Sequence, residues 1–356
     1  MKKISKAARK NVLTYGFVIV AFVVLQILIS GGNISASLRG QLIPICAYVI
    51  MAVSLNLTVG VLGELSLGHA GFMSIGAFVG AVACIGMENA IPLAPLRLGI
   101  SMVIGAICAG AAGVLIGIPV LRLRGDYLAI VTLAFGEIIK NIINCLYVGV
   151  DSRGLHVSFL TSAQALKLEE GGRVIIDGPM GISNITKIST FTIGFVLILV
   201  TLFIVLNLIN SRSGRAIMAL RDNRIAAESV GIPVTKYKMM AFVTSAALAG
   251  AAGTLYAMNY STIVASKFNF NTSILVLVFV VLGGLGNILG SVIAAAVLTI
   301  LPELLREFND YRMLVYAIVL ILVMLATNND NIKALLGRFR GRILPAGTIK
   351  KGGSGK

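Results

Sequence analysis

Long apolar runs alternate with short polar stretches along this chain of 356 residues. A run of about twenty apolar residues can cross the hydrocarbon core of a bilayer as one helix. The runs predict about ten membrane spans, near 12–31, 41–60, 71–87, 98–121, 126–148, 191–210, 239–260, 272–285, 287–302 and 311–327. The pattern therefore predicts an all-α polytopic membrane protein.

The eighth and ninth predicted spans are shorter than the others. A helix of ~14 residues is only ~21 Å long, whereas the hydrocarbon core is ~30 Å thick. Glycine also recurs in and between these two spans, at positions 283, 284, 286 and 290. We therefore expect some of the helices to be broken or re-entrant inside the bundle.

Composition and charge agree with this class of protein. The chain is 57% hydrophobic and 12% charged, whereas soluble domains are ~25% charged, so an ordinary soluble fold is excluded. The net charge of +16 does not indicate nucleic acid, because Lys and Arg gather in 1–11, 211–238 and 328–356. Positive charge in such segments is typical of cytoplasmic regions. We expect cytoplasmic N- and C-termini, a permease domain over 12–327 and an external loop over 149–190.

Candidate chemistry inside the predicted spans is sparse. Glu137 and Lys140 are the clearest ionisable candidates, one helical turn apart, and we interpret them as a neutralised pair that faces protein. The four cysteines lie in apolar segments without a short spacing, so we expect neither a metal site nor a disulfide. The sequence shows no catalytic constellation, and we expect no enzyme.

The sequence Gly-x-x-x-x-Gly-Lys-Ser/Thr, which binds nucleotide phosphates, does not occur. If ATP drives this protein, a separate polypeptide must bind it, and that polypeptide needs a docking element. The basic loop 211–238 has a suitable pattern, in which Gly214 is predicted to break the chain away from the sixth span. A short helix with an apolar face of Ile217, Leu220 and Ile225 with Ala226 then ends near Gly231. We expect this helix to dock in a groove of a partner, and a basic linker held at lipid headgroups is the alternative.

Several motifs occur in a fixed order between about residues 40 and 325. They are Gly60-x-x-Gly63-x-x-Ser66-Leu67-Gly68-His69-Ala70-Gly71-Phe72, Arg124-Gly125-Asp126-Tyr127-Leu128-Ala129-Ile130-Val131-Thr132-Leu133-Ala134-Phe135-Gly136-Glu137, Gly178-Pro179-x-Gly181-Ile182, the 211–233 loop, Gly283-Gly284-Leu285-Gly286, and Pro302-Glu303 followed by Tyr311-Arg312. Together they resemble the integral-membrane permease subunits of bacterial ATP-binding cassette (ABC) importers for branched-chain amino acids. Related branches of this family transport urea, amides or nucleosides.

The resemblance implies import of branched-chain or other hydrophobic amino acids across the bacterial cytoplasmic membrane. It implies a heterodimer with a second homologous permease, two cytoplasmic ATPase subunits and an extracytoplasmic binding protein. The chain itself would need no cofactor, since ATP would be bound by the partner subunits. The resemblance also implies an ATPase coupling loop, which contains Gly214, Arg215, Arg221, Ala226, Ala227, Glu228 and Gly231. A stand-alone channel or ion-coupled carrier is the alternative class.

Two glycine-containing segments are candidates for the lining or the gate of the translocation path. Glycine allows backbones to approach closely, and free backbone groups at membrane depth are tolerated only beside protein or a water-filled cavity. The predicted path residues are Ser66, Gly68, His69, Phe72, Gly283, Gly284 and Gly286. For His69 we favour a structural hydrogen bond over a role in sensing pH.

Overall fold

The computed structural model describes residues 6–31, 35–88, 90–123, 125–151, 154–159, 172–305, 311, 314–318 and 320–322. The chain divides into a large unit, Met1–Glu303, and a small unit, Leu304–Lys356. In the small unit the backbone is helical at 314–318 and 320–322, inside the predicted tenth span. The predicted basic tail, 328–356, lies outside the described residues.

The described part of the chain is predominantly α-helical. Its helices are α1 (Lys6–Ser30), α2 (Ala36–Asn56), α3 (His69–Gly86), α4 (Ala94–Val120), α5 (Asp126–Asn144), α6 (Phe191–Asn210), α7 (Arg212–Asp222), α8 (Arg224–Ser229), α9 (Val234–Ala257), α10 (Phe270–Gly283) and α11 (Ile288–Leu304). Eight helical segments among the described residues are long and apolar enough to cross a membrane, and α11 is a shorter apolar helix. The prediction of an all-α polytopic membrane protein is confirmed, while the cytoplasmic position of the termini stays a prediction.

Helix α9 lies at the centre of the large unit, where it packs against α2, α3 and α4. Its Gly250 lies against Gly105 and Ala109 of α4, so closely that an added Cβ atom would overlap both residues. Small residues bring membrane helices together because lipid supplies no hydrophobic drive for their association. The Ala- and Gly-rich sequences of α4 and α9 therefore allow these two helices to pack in close contact.

A small antiparallel sheet occupies part of the predicted external loop. Its strands are β1 (Tyr147–Asp151), β2 (Gly154–Ser158) and β3 (Arg173–Asp177), in the order β2-β1-β3. The predicted fifth span, 126–148, is therefore too long, because α5 ends at Asn144 and Tyr147 and Val148 pair with both neighbouring strands. After β3 the chain returns to the bundle, where Ile182 pairs with Ile263 beyond the end of α9.

Candidate translocation and coupling site

The first helix break lies between α2 and α3. Helix α2 continues directly into one turn of π-helix over Leu57–Leu62, and Gly63 ends this turn with a φ of +82°. The backbone then stays non-helical up to Gly68. The predicted path residues Ser66 and Gly68 therefore lie in the break, and His69 is the first residue of α3.

Side chains of two other helices bind the backbone around this break. The Leu67 N–H donates to Thr132 Oγ1 of α5 at 3.0 Å, and the Ala70 N–H donates to Ser273 Oγ of α10 at 3.1 Å. Such partners satisfy backbone N–H groups that have no partner within a helix at this position. Ser66 is also buried, and its Oγ has no hydrogen-bond partner among the described residues.

The second break lies between α10 and α11, where the predicted eighth and ninth spans meet, and a re-entrant course of these helices stays a prediction. Helix α10 ends at Gly283 and α11 begins at Ile288. Gly284 and Gly286 have φ angles of +91° and +77°, in the left-handed region that favours glycine. All three predicted path residues of this segment therefore lie at the end of α10 or in the turn that follows.

The two breaks contact each other through Asn56 at the end of α2. The Gly286 N–H donates to Asn56 Oδ1 at 2.8 Å, and Asn56 Nδ2 donates to Ser291 Oγ of α11 at 2.8 Å. Gly60 lies so close to the Gly286 backbone nitrogen that a side chain at position 60 would overlap it. Sequence reasoning missed Asn56, although an amide at the end of a strongly apolar run was an available signal.

His69 and Phe72 lie inside the bundle. The Ser54 hydroxyl and His69 Nε2 are hydrogen-bonded at 2.8 Å, which is the structural hydrogen bond favoured from the sequence. Phe72 stacks edge-to-face on Phe242 of α9, with ring centroids 5.5 Å apart. Both side chains are buried within this chain, and their contribution to the path stays a prediction.

The basic loop folds as two helices, α7 and α8, rather than the one short helix that was predicted. Asn223 separates them, and its Oδ1 accepts a hydrogen bond from the Ala226 N–H at 3.0 Å. Asn is a favoured residue at helix N-termini because its side chain binds a free backbone N–H group. Gly231, with a φ of +83°, follows the end of α8 as predicted.

Two details of the predicted loop are wrong. Gly214 does not break the chain away from α6, because it lies within α7, and Ser211 Oγ accepts its N–H at 3.0 Å to begin that helix. Ile225 does not share the buried face of Ile217 and Leu220, since it is 79% exposed. The turn at Asn223 explains this difference, because it restarts the helical repeat before Ile225.

Arg221 connects the loop directly to the first break. Its Nη1 donates to the Gly60 carbonyl oxygen at 2.6 Å, and its Cγ is 2.8 Å from the position of a Cβ added at Gly63. The adjoining α9 contributes Lys238, which donates to Glu64 in the same break. Of the remaining predicted coupling residues, Ala227 is buried and Arg215, Ala226, Glu228 and Gly231 are exposed.

We expect Lys238→Met to destabilise the protein. The Lys238 and Glu64 side chains are 5% and 16% exposed, and removal of one partner from a buried ion pair costs ~3–5 kcal/mol. The midpoint of thermal unfolding in detergent should fall, and the second change Glu64→Gln should restore part of it. Lys236→Met, at an exposed position of the same helix, is the control. Equal midpoints for the two single variants would contradict a stabilising ion pair.

No group of three His, Cys, Asp or Glu residues in the described ranges could hold a metal ion. A bundle in which eight of the described helical segments are long and apolar enough to cross a membrane has the architecture of a polytopic integral-membrane protein. Residues 38–324 match the family model described as "Branched-chain amino acid transport system / permease component". The chain belongs to this family of membrane permeases.

Two relatives carry the name high-affinity branched-chain amino acid transport system permease protein LivM. The one from Salmonella typhimurium is 37% identical over 292 residues and the one from Escherichia coli is 36% identical over 292 residues. These alignments cover 78% of this chain and 66% of each relative, so the chain spans slightly less than two thirds of their length. The fructose import permease protein FruG of Bifidobacterium longum is 28% identical over 273 residues, which are 73% of this chain and 72% of FruG. No solved structure matches the chain.

Proposed function

We propose that this chain is the transmembrane permease subunit of an ABC importer that moves branched-chain amino acids across the bacterial cytoplasmic membrane. The contact between Arg221 and the Gly60 carbonyl carries the proposal. It joins a loop with the pattern of a docking element to a pair of helix breaks inside the bundle. The printed names of the LivM relatives support the substrate class.

These contacts indicate how a movement of the proposed ATPase subunits is transmitted to the predicted path residues. A displacement of α7 acts on the Gly60 carbonyl through Arg221, and Gly60 lies against Gly286 in the second break. The bond from the Gly286 N–H to Asn56 keeps the two breaks together, so both respond to the same displacement. Packed elements of this kind switch between discrete arrangements rather than deform continuously.

The proposed importer contains further subunits. Two cytoplasmic ATPase subunits bind and hydrolyse ATP, a second homologous permease completes the membrane part, and an extracytoplasmic binding protein delivers the substrate. In this arrangement the binding protein supplies much of the substrate selectivity, while the permease provides a gated passage.

The exposed surface of α8 supports docking of an ATPase subunit. Ile225 is 79% exposed and Val230 is 74% exposed, and each lies within two residues of an Arg or Glu side chain. Apolar side chains with a charged rim are typical of protein–protein contact sites. A linker that only rested on lipid headgroups would need its basic residues but not this apolar pair.

We expect Ile225→Asp to weaken binding of the ATPase subunits at least tenfold, because a carboxylate would lose its water in an apolar contact. The measurement is the amount of ATPase that copurifies with the tagged permease across a dilution series. Lys236→Asp, an exposed change outside the apolar pair, is the control. Copurification of Ile225→Asp at the level of the control would contradict docking through α8.

Reconstitution in proteoliposomes tests the whole proposal. The complete set of subunits should accumulate labelled leucine only when ATP and the binding protein are both supplied, and this chain alone should accumulate none. Concentrative uptake by the chain alone would instead identify a stand-alone carrier. ATP-dependent uptake of urea, a nucleoside or a sugar without leucine uptake would show that the proposed substrate is wrong.

A further inference from the structure

Helix α5 carries a pair of opposite charges at membrane depth. Lys140 donates to Glu137 one turn away, and their side chains are 20% and 34% exposed. Helix α5 has 19 residues from Asp126 to Asn144, and Glu137 lies ~16 Å along it at 1.5 Å per residue. The pair therefore lies near the middle of a membrane-spanning helix and at the surface of this chain.

Acyl chains are poor surroundings for these two side chains. A charged group is unfavourable at the bilayer centre, so such groups face a polar cavity or other protein. Ile138 and Ile142 form a separate exposed stripe of α5 and are suited to an apolar environment. With 100° between successive helical residues, Glu137 and Lys140 lie on a neighbouring stripe, with Leu133 one turn before them.

The pair is also next to the first helix break. Gly136 precedes Glu137 and lies one turn before Lys140 on the same side of α5, and its Cα is 3.0 Å from a Cβ added at Gly71. Thr132 holds the same break through the Leu67 N–H. A rearrangement of the break therefore acts directly on the turn of α5 that carries the two charges.

We propose that Glu137 and Lys140 form the site in the membrane that receives the charged head group of a zwitterionic amino acid. The carboxylate of Glu137 binds the substrate ammonium group, and the ammonium of Lys140 binds the substrate carboxylate. When no substrate is bound, Glu137 and Lys140 neutralise each other. When the substrate binds, the ion pair between these two side chains is replaced by two ion pairs with the substrate. This exchange keeps the site neutral and the binding weak, as passage requires. The inference rests on the proposed function, since it assumes an amino acid as substrate.

The test uses the complete transporter in proteoliposomes with labelled leucine. The double variant Glu137→Gln/Lys140→Met removes both charges together, so neither is left unpaired. We expect leucine uptake to fall about tenfold or more, because the loss of one charge-assisted hydrogen bond to the substrate is sufficient for a change of this size. ATP hydrolysis stimulated by the binding protein should continue. Glu88→Gln is the control, at a carboxylate 3.9 Å from Arg97 near the end of a span.

The outcomes separate this inference from the proposed function. Leucine uptake by the double variant at the wild-type rate and KM would overturn the head-group site and leave the proposed function intact. A wild-type complex that moves no leucine would overturn both. Loss of uptake by the double variant alone, with hydrolysis retained, supports the site, because an ion pair with only a structural role tolerates replacement by two neutral residues.

Cysteine labelling decides the question even if the double variant does not assemble. In a background with the four native cysteines replaced by alanine, Leu133→Cys lies one turn from Glu137 on the proposed polar stripe. A charged thiol reagent should label it in the complex, and excess leucine should slow the reaction. Ile107→Cys, at a 65% exposed position of α4 in an apolar groove, should react much more slowly. Equal labelling rates at the two positions would overturn the proposal.

Discussion

The variant Gly250→Val is expected to leave almost no folded protein in the membrane. Gly250 lies where α3, α4 and α9 meet, and an added Cβ would overlap the Ala109 Cβ and lie 2.6 Å from the Gly105 carbonyl oxygen. An alanine Cβ and a carbonyl oxygen have no rotamer to change, so the clash cannot be relieved in that way. Overpacking of a close contact costs ~1–3 kcal/mol or more, and the lost helix contact adds to this cost.

The yield of monodisperse protein after detergent extraction measures this effect. Gly99→Val is the matched control, because Gly99 lies in α4 and has no atom within 4 Å of an added Cβ. Both variants carry the same substitution in a membrane helix, so a difference in their yields is due to the close packing around Gly250. Equal yields would show that the contact of α9 with its neighbours is not needed for folding.

The variant Arg221→Met is expected to separate ATP hydrolysis from transport in the proposed importer. The methionine retains much of the apolar stem over Gly63 but cannot donate to the Gly60 carbonyl. A hydrogen bond from a charged group contributes ~1.5–3 kcal/mol, and loss of that coupling energy corresponds to ~10–150-fold. Leucine uptake per ATP hydrolysed should therefore fall at least tenfold.

Uptake and hydrolysis are measured on the same preparation of the complete complex. Arg212→Met, at an exposed position in the first turn of α7, controls for the loss of one positive charge. Lower hydrolysis together with less bound ATPase would indicate lost docking rather than lost coupling. A wild-type ratio of uptake to hydrolysis in Arg221→Met would contradict transmission through the Gly60 carbonyl.

The helices of the bundle were largely predictable because their apolar runs end at recognisable polar residues. The predicted sixth span, 191–210, coincides with α6, Phe191–Asn210. Thr190 caps its first turn, where its Oγ1 accepts from the Ile193 N–H at 3.4 Å, and Ser211 begins the next helix. A long apolar run between two polar capping residues is predicted to be a helix, because a helix satisfies all of its backbone hydrogen bonds within lipid.

The contacts between distant segments were not predictable in this way. Arg221 and Gly60 are 161 residues apart, and Lys238 and Glu64 are 174 residues apart. Nothing in the periodicity of either segment indicates its partner, since these pairings arise from the way α2, α7 and α9 pack. The exposure of Ile225 was missed for a related reason, because an apolar residue in a helical pattern fits the bundle and a docking surface equally well.

The turn between α7 and α8 has a recognisable signal in the sequence, which is Asn223. Asn223 follows Asp222 and precedes a short run that ends at Gly231. Asn is common at helix N-termini, because its side chain accepts a hydrogen bond from the backbone N–H two or three residues later. Two helices, rather than one, were therefore predictable from the sequence of this loop.

Helix α9 has fixed attachments at both of its ends. Near its first residues Lys238 binds Glu64, and just beyond its last residues Ile263 pairs with Ile182, which also pairs with Ile176 of β3. A helix of 24 residues behaves as a stiff rod ~36 Å long. A displacement of the sheet can therefore reach the Lys238–Glu64 contact through α9 itself, which links the predicted external loop to the segment between α2 and α3.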